Sequence, residues 1–513
     1  MSTENPTDPL AQRRHKLQEL ERRGYETYPH RFDATHTISE IRKRFGDTTA
    51  EELEAEKTAV RICGRILSLR PHGKAAFVDL SDGESRLQVY VRSNVVGAEN
   101  FELFGLFDHG DIVGAEGALF RTRTGELTVA ASRVHHLSKA LLPLPEKWHG
   151  LTDIETRLRQ RYVDLIVNPE VREVFARRAR IVREIRAYLD SQGYLEVETP
   201  VLQSLAGGAL ARPFRTHHNA LDMELYLRIA LELYLKRLIV GGMPRVYELG
   251  RIFRNEGISS HHNPEFTMLE FYQAYSDFRD LMDLTEKMLT RVAVAVTGAH
   301  EVVYQENTLD FGRWHRYTMK EAVLEFWPEG RPRPTGSDLA VRDRLAEILG
   351  GLGVAFAPGD GAGKLLGTLF ETVAEPHLIQ PTFIYDHPTE LSPLSKRKPG
   401  EPDTVERFEL YIAGMEIANA YSELNDPAEQ RERFEEQMRA RGRGDAEAHA
   451  MDLDYIRALC YGMPPTAGEG IGIDRLTMVL TNSRSIRDVI LFPLLRPESE
   501  SDLAQVLEIL DHK

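Results

Sequence analysis

The spacing of apolar residues changes several times along the chain. Leu10, Leu17 and Leu20 stand among many charges, which predicts a surface helix over residues 10–24. Residues 38–57 continue in an acidic helical pattern. From Val60 short β-rich runs take over: VRICGRILSL, AAFVDLSD, RLQVYVRS, DIVGAEGALFRT and ELTVAASRVHHL, split by Gly, Asp and Thr turns. Five strands in about 80 residues predict a small barrel, with an OB-fold as the leading candidate. LPLPEKW (142–148) carries two prolines and reads as a linker. Val174, Ile181, Ile185 and Leu189 then recur near helical spacing up to Gly193, a C-terminal stop.

Strand-like runs follow with helices between them: RVYELGRIFR, FTMLEFYQAY, VERFELYIAGMEIANAYSEL and GIGI. Without regular βαβ alternation, this predicts an α+β domain on an antiparallel sheet. The expected division is a helical segment (1–56), the barrel (57–142), a linker (143–170) and a large α+β domain (171–513). GLGVAFAPGDGAGKLLG fails as a phosphate loop: Pro358 replaces the first Gly and Leu365 the Ser or Thr. It reads as a loop entering a helix.

Composition narrows the classes. Apolar residues make up 42% of 513 and mean hydropathy is -0.36, as in a soluble globular protein. No run of about 18 apolar residues predicts a membrane span, and the polar N-terminus lacks a signal-peptide pattern. The expected location is cytoplasmic. Cys63 and Cys460 are the sole cysteines, which excludes a disulfide framework, and no CxxC or HExxH suggests zinc. The net charge of -15 counsels caution about nucleic acid, although local basic clusters can carry phosphate affinity.

Three stretches hold candidate chemistry. In the run after NEGISSHHNP, period two puts Phe266, Met268, Glu270 and Tyr272 on one face. A carboxylate beside a phenol on an apolar face suits a binding site; a structural ion pair on a half-exposed strand is an equal reading from the pattern alone. In GMEIANAYSELND, Asn419, Tyr421 and Glu423 share a face, and Glu416 joins them only through a bulge. Two such carboxylates could hold Mg²⁺ on phosphates, or be plain edge-strand acids. In TAGEGIGIDRLTMVL, glycines 468, 470 and 472 admit a ligand close to the backbone, and Arg475 starts a helix where it could meet a polyphosphate.

These stretches resemble the three ordered motifs of class II aminoacyl-tRNA synthetases: GYLEVETPVL, FRNEGISSHHNPEF and GIGIDR. GGALARPFRTHHNALDMELYLRIALELYLKRL and NAYSELNDP are similar to the lysine-specific branch. The resemblance covers about residues 10–497 and implies an ATP- and Mg²⁺-dependent enzyme acting on L-lysine and tRNA(Lys), and a homodimer joined through the first motif, with no membrane partner. It implies that Arg254 and Arg475 are catalytic and bind ATP with Glu256, His262, Asn263, Phe266 and Glu416. Gly208, Glu232, Glu270, Tyr272, Asn419, Tyr421 and Glu423 would form the lysine pocket, Glu416 and Glu423 the Mg²⁺ pair. In the barrel, Phe77, Arg65, Gln88 and Glu126 would read the anticodon. Leu231 departs from the proline often found in bacterial relatives, and Glu469 adds a charge among the third-motif glycines. The absence of a lysine-rich N-terminal extension favours a bacterial form. An aspartyl or asparaginyl enzyme would need a basic group facing the substrate side chain. A non-catalytic tRNA- or protein-binding paralogue could lose Arg254, Glu416, Glu423 or Arg475, and all four are present. A lysine-transferring protein modifier would lack the barrel, and a lipid-linked form would carry a membrane segment.

Overall fold

A computed structural model describes residues 9–145, 151–209, 211–442 and 451–499. The chain divides into two compact units, Met1–Arg172 with the segment from Leu495, and Glu173–Leu494. In the first unit the five predicted strands form a closed barrel. They run Ala59–His72, Ala75–Ser81, Arg86–Arg92, Ile112–Arg121 and Leu127–Ser138. Strict alternation fills the interior with Ile62, Val78, Leu80, Val89, Val129 and their neighbours. Part of the expected linker (146–150) lies outside the described residues; beyond it the chain forms helices Ile154–Arg159 and Arg161–Val167. The Asp164 carboxylate ties these helices together, accepting from Arg157 at 2.9 Å and Arg161 at 2.6 Å.

The second unit is built on one large mixed sheet. Its centre is antiparallel, in the order Thr382–Pro388, Glu401–Ile412, Met415–Ser422, Thr466–Gly472, Glu265–Ala274, Arg245–Phe253. The outermost strands, Leu195–Glu196 and His315–Thr318, pair in parallel. One sheet face packs on the helices Pro169–Ser191 and Phe278–Thr297 through Ile181, Ile185, Leu269, Phe271, Leu281, Leu289 and Ile471. The apolar stripe of the first helix is thus spent on its own subunit's core, not on a partner. The rejected phosphate loop does enter a helix, Ala362–Val373. Its free N–H groups at Gly361, Gly363 and Lys364 are taken by the Glu390 carboxylate. No helix among the described residues is long and apolar enough to cross a membrane.

Candidate active site

The opposite sheet face forms a cavity of about 530 Å³. Register explains its shape. Glu270, Gly470 and Asn419 lie in one row across three strands, and Tyr272, Gly468 and Tyr421 in the next. Glycine in the middle strand makes the floor a trough between side chains. A Cβ on Gly468 would collide with the Tyr272 ring and the Glu423 carboxylate. Glu469, between these glycines, points the other way. Its carboxyl is buried under the sheet, accepts from Thr285 at 2.6 Å, and is held well above the ordinary range by burial. The extra acid is therefore outside the site.

One end of the cavity is cationic. The hairpin Arg245–Phe253/Glu265–Ala274 presents Arg254 at its mouth, packed over the Phe266 ring at 5.3 Å. Burial lowers the Arg254 pKa, although Glu256 and Glu416 oppose that shift. Arg475 begins the helix Ile473–Thr481; it donates to the Glu416 carbonyl at 2.7 Å and meets His262 Nε2 at 3.1 Å. Ser259 fixes the other ring nitrogen of His262 at 2.9 Å. Asn263 is buried, donates to the Glu265 carbonyl at 2.6 Å, and leaves its amide oxygen without a partner among the described residues. Glu256 completes this wall.

Glu416 has the expected bulge. Across the hairpin, Leu410 pairs with Ala418 but Tyr411 with Glu416, so one residue is skipped and Glu416 turns into the cavity. Its carboxylate neighbour is Glu409, on the facing strand, and not Glu423. Burial and the Glu409 charge raise the Glu416 carboxyl. Burial also raises Glu409, but Arg407 and His387 outweigh it, and Tyr411 donates to it at 2.7 Å. Glu375 nearby is pushed up to about 7 by burial and by Glu371, Glu409 and Glu416. Glu423, the other carboxylate expected to hold Mg²⁺, is buried beside the trough-floor Gly468 and forms an ion pair with Lys236.

The other end is anionic. Glu270 is fully buried, accepts from the Leu231 N–H at 3.0 Å and the Tyr272 hydroxyl at 3.1 Å, and is pushed up to about 7 by burial and the Glu232 charge. Glu232 starts the helix Glu232–Val240, and Gly208 lies against it with φ of +87°. One turn on, Lys236 is wholly buried between Glu232 and Glu423, with its ammonium 5.4 Å from the Tyr421 ring centre. The two carboxylates raise the Lys236 pKa against burial. Nothing in the amphipathic pattern of YLKRLIV marked this lysine as buried; only a Glu at i−4 hinted at it.

On the barrel, Phe77 lies on the outer face, stacked on Tyr90 at 4.5 Å, with Arg92 over Tyr90 at 5.4 Å. Gln88 is in the adjacent row and accepts from Thr128 at 3.1 Å. Glu126 is bound by Arg42 at 2.6 Å. Arg65 stands several rows from Phe77 and donates to the Gly110 carbonyl at 2.8 Å. A bulge between Ile66 and Ser68 reverses the facing, and Arg70 is the arginine in register with Phe77.

Known proteins agree with this arrangement. The family model of class II tRNA synthetases (D, K and N) matches residues 153–496, and that of the OB-fold nucleic acid binding domain matches 60–137. The "Lysine--tRNA ligase" of Moorella thermoacetica is 55% identical over 502 residues, 98% of this chain and 100% of the relative. The protein of the same name from Pelotomaculum thermopropionicum is 55% identical over 94% of both chains. That of Bacillus cytotoxicus is 49% identical over 98% of this chain and 99% of its own. With a closed five-stranded barrel followed by a synthetase sheet and its motifs in order, the chain belongs to the lysine–tRNA ligase family of class II tRNA synthetases.

Proposed function

We propose that the two ends of the one cavity divide lysine activation between them, and that the product is lysyl-tRNA(Lys). The observation that carries this is the separation of charge: Arg254 and Arg475 at one end, Glu232 and Glu270 at the other, with a glycine floor between. ATP would lie with its adenine on Phe266, its amino group near Asn263 and Glu256, and its phosphates on Arg254, His262 and Arg475. Lysine would place its α-ammonium at Glu232 and Gly208 and its ε-ammonium at Glu270 and Tyr272, walled by Asn419 and Tyr421. The lysine carboxylate then attacks the α-phosphorus, the bond to the bridging oxygen breaks, and pyrophosphate leaves. Arg254 neutralises charge on the α-phosphoryl oxygens, and the rigid trough aligns the reactants. The tRNA 3′-terminal hydroxyl next attacks the lysyl carbonyl and AMP departs.

Mg²⁺ needs oxygen ligands and shares phosphate. Glu416, with Glu409 across the hairpin, and Glu423 beside Gly468 supply carboxylate oxygens for it. Mg²⁺ there would offset pyrophosphate charge. Among the described residues no cluster of three or more ligating side chains forms a cage, so phosphate oxygens would complete the shell. Anticodon reading is proposed for Phe77, Gln88 and Arg70 on the barrel's outer face. A homodimer is supported by exposed Leu195, Val201 and Leu202 in the first motif. A cytoplasmic location fits free cysteines. ATP–pyrophosphate exchange tested with all twenty amino acids decides the substrate: lysine should dominate, and stronger exchange with aspartate or asparagine would reject the pocket assignment.

A further inference from the structure

The residue before the helix Glu232–Val240 contributes to the cavity through its backbone. Leu231 has φ of −96°, and its N–H points away from the helix to the Glu270 oxygen Oε1, 3.0 Å off. Its side chain is wholly buried in the apolar cluster of Leu235, Ile239 and Val246, which also packs behind the cavity residues Tyr272 and Phe266. Glu270 is enclosed, and among the described residues two donors reach it: this amide and the Tyr272 hydroxyl. The amide is held rigidly by the helix start, whereas the phenol can rotate. A buried carboxylate accepts such a bond far more strongly ionised than neutral.

We propose that the Leu231 N–H is a positioning group for lysine recognition, holding the Glu270 carboxylate ionised and aimed at the substrate ε-ammonium. This rests on the assignment of Glu270 to the lysine pocket. The charged and titratable groups around Glu270 are Glu232 on the helix, Arg254 on the hairpin, Tyr272 on its own strand, and Tyr421 and Glu423 beyond the glycine strand. Glu232 and Glu423 disfavour its ionisation, and Arg254 favours it from the far end. Lys236 is already committed to Glu232 and Glu423. The amide is therefore the one fixed donor on the side where lysine's terminus would sit. A proline at 231 carries no N–H and would leave that oxygen bare.

The direct experiment replaces Leu231 by its α-hydroxy acid, turning the amide into an ester in the full-length protein. Lysine-dependent ATP–pyrophosphate exchange is then followed from pH 6 to pH 9. A hydrogen bond to a charged group is worth about a factor of ten or more. The lysine KM should rise about tenfold at pH 6 and about fivefold at pH 7, and approach the wild-type value near pH 9, as the half-point of kcat/KM moves up by about one pH unit. The ATP KM should stay within about twofold. Leu231→Pro should follow the ester, and Leu231→Ala, which keeps the N–H, should retain the wild-type pH profile despite lower stability. An ester protein with an unshifted profile overturns the proposal, as does a shift in Leu231→Ala equal to that of the ester. Glu270→Gln separates the two levels. If it raises the lysine KM while the ester is silent, only the amide's role falls; if it leaves the KM unchanged, the pocket assignment falls too.

Discussion

Replacing Glu270 by Gln should move stability and lysine affinity in opposite directions. The carboxyl is pushed from its ordinary value of 4.5 up to about 7 by burial and by Glu232. That rise corresponds to about 3 kcal/mol against the ionised form in the folded, substrate-free protein. Because the folded-state value is raised, the group's stabilising contribution is complete below 4.5 and is lost as pH climbs through 7. Gln keeps an acceptor for the Leu231 N–H and a donor for Tyr272 but never ionises. At pH 8 the variant should gain roughly 3 kcal/mol; at pH 5 it should gain about 1 or less. With unfolding entropies of about 2.1 cal/mol/K per residue, the pH 8 gain is about 5 °C in the melting of the catalytic unit.

Affinity goes the other way. An ammonium that loses its buried carboxylate forfeits about 3–5 kcal/mol, so the lysine KM in pyrophosphate exchange should rise by two to three decades or more, with the ATP KM little changed. Wild-type kcat/KM for lysine should fall about tenfold per pH unit below 7, because Glu270 must shed its proton first; the Gln variant should show no such limb. Calorimetry in buffers of different ionisation enthalpy should register about half a proton released on lysine binding at pH 7. A Gln variant that is less stable at pH 8, or that keeps the wild-type lysine KM, refutes the reasoning.

Lys236→Met would leave Glu232 and Glu423 buried without their shared cation; unfolding by denaturant should show a loss of about 3–5 kcal/mol. Glu469→Gln should be neutral at pH 5 and stabilising at pH 9, since this carboxyl is also raised and its contribution disappears with increasing pH; thermal melts at both values check the sign. Phe77→Ala removes a ring from the outer face of the barrel, so pyrophosphate exchange should be unaffected and melting little changed. Aminoacylation should weaken by about one to two decades in apparent tRNA affinity if a base stacks there, and normal charging would exclude that role.

The barrel was readable because Gly, Asp and Thr punctuate each run, and the observed strand ends lie within three residues of the runs. The facing of Phe266, Glu270 and Tyr272 followed from period two. Features that lie between strands were not legible in this way. Glu409 and Glu416 meet across the hairpin turn Ala413–Gly414, a proximity that counting along a single strand does not reveal. The bulge between Ile66 and Ser68, which puts Arg70 rather than Arg65 in register with Phe77, cannot be seen from alternation alone. The stripe Val174, Ile181 and Ile185 has one period whether it faces a partner or its own sheet, and here it is the latter.

Lys236 also bears on why this cavity rejects aspartate. A rival substrate with a side-chain carboxylate needs a cation free to meet it, and a lysine sits within reach of the pocket. That lysine is not free: Glu232 and Glu423 both contact it, its side chain is 0% exposed, and two tyrosine rings cover it. Drawing it towards a substrate would strip two buried carboxylates at once, at a cost exceeding what one new ion pair returns. The cation at the other end, Arg254, is separated by the trough and faces the phosphate side. An aspartate side chain placed at the lysine end would thus meet the Glu270 carboxylate with no cation free to pair with it, where like charges in a desolvated site cost several kcal/mol. On the proposed assignment of the pocket, selection for lysine would lie as much in an internal lysine that is already paired as in the Glu270 carboxylate.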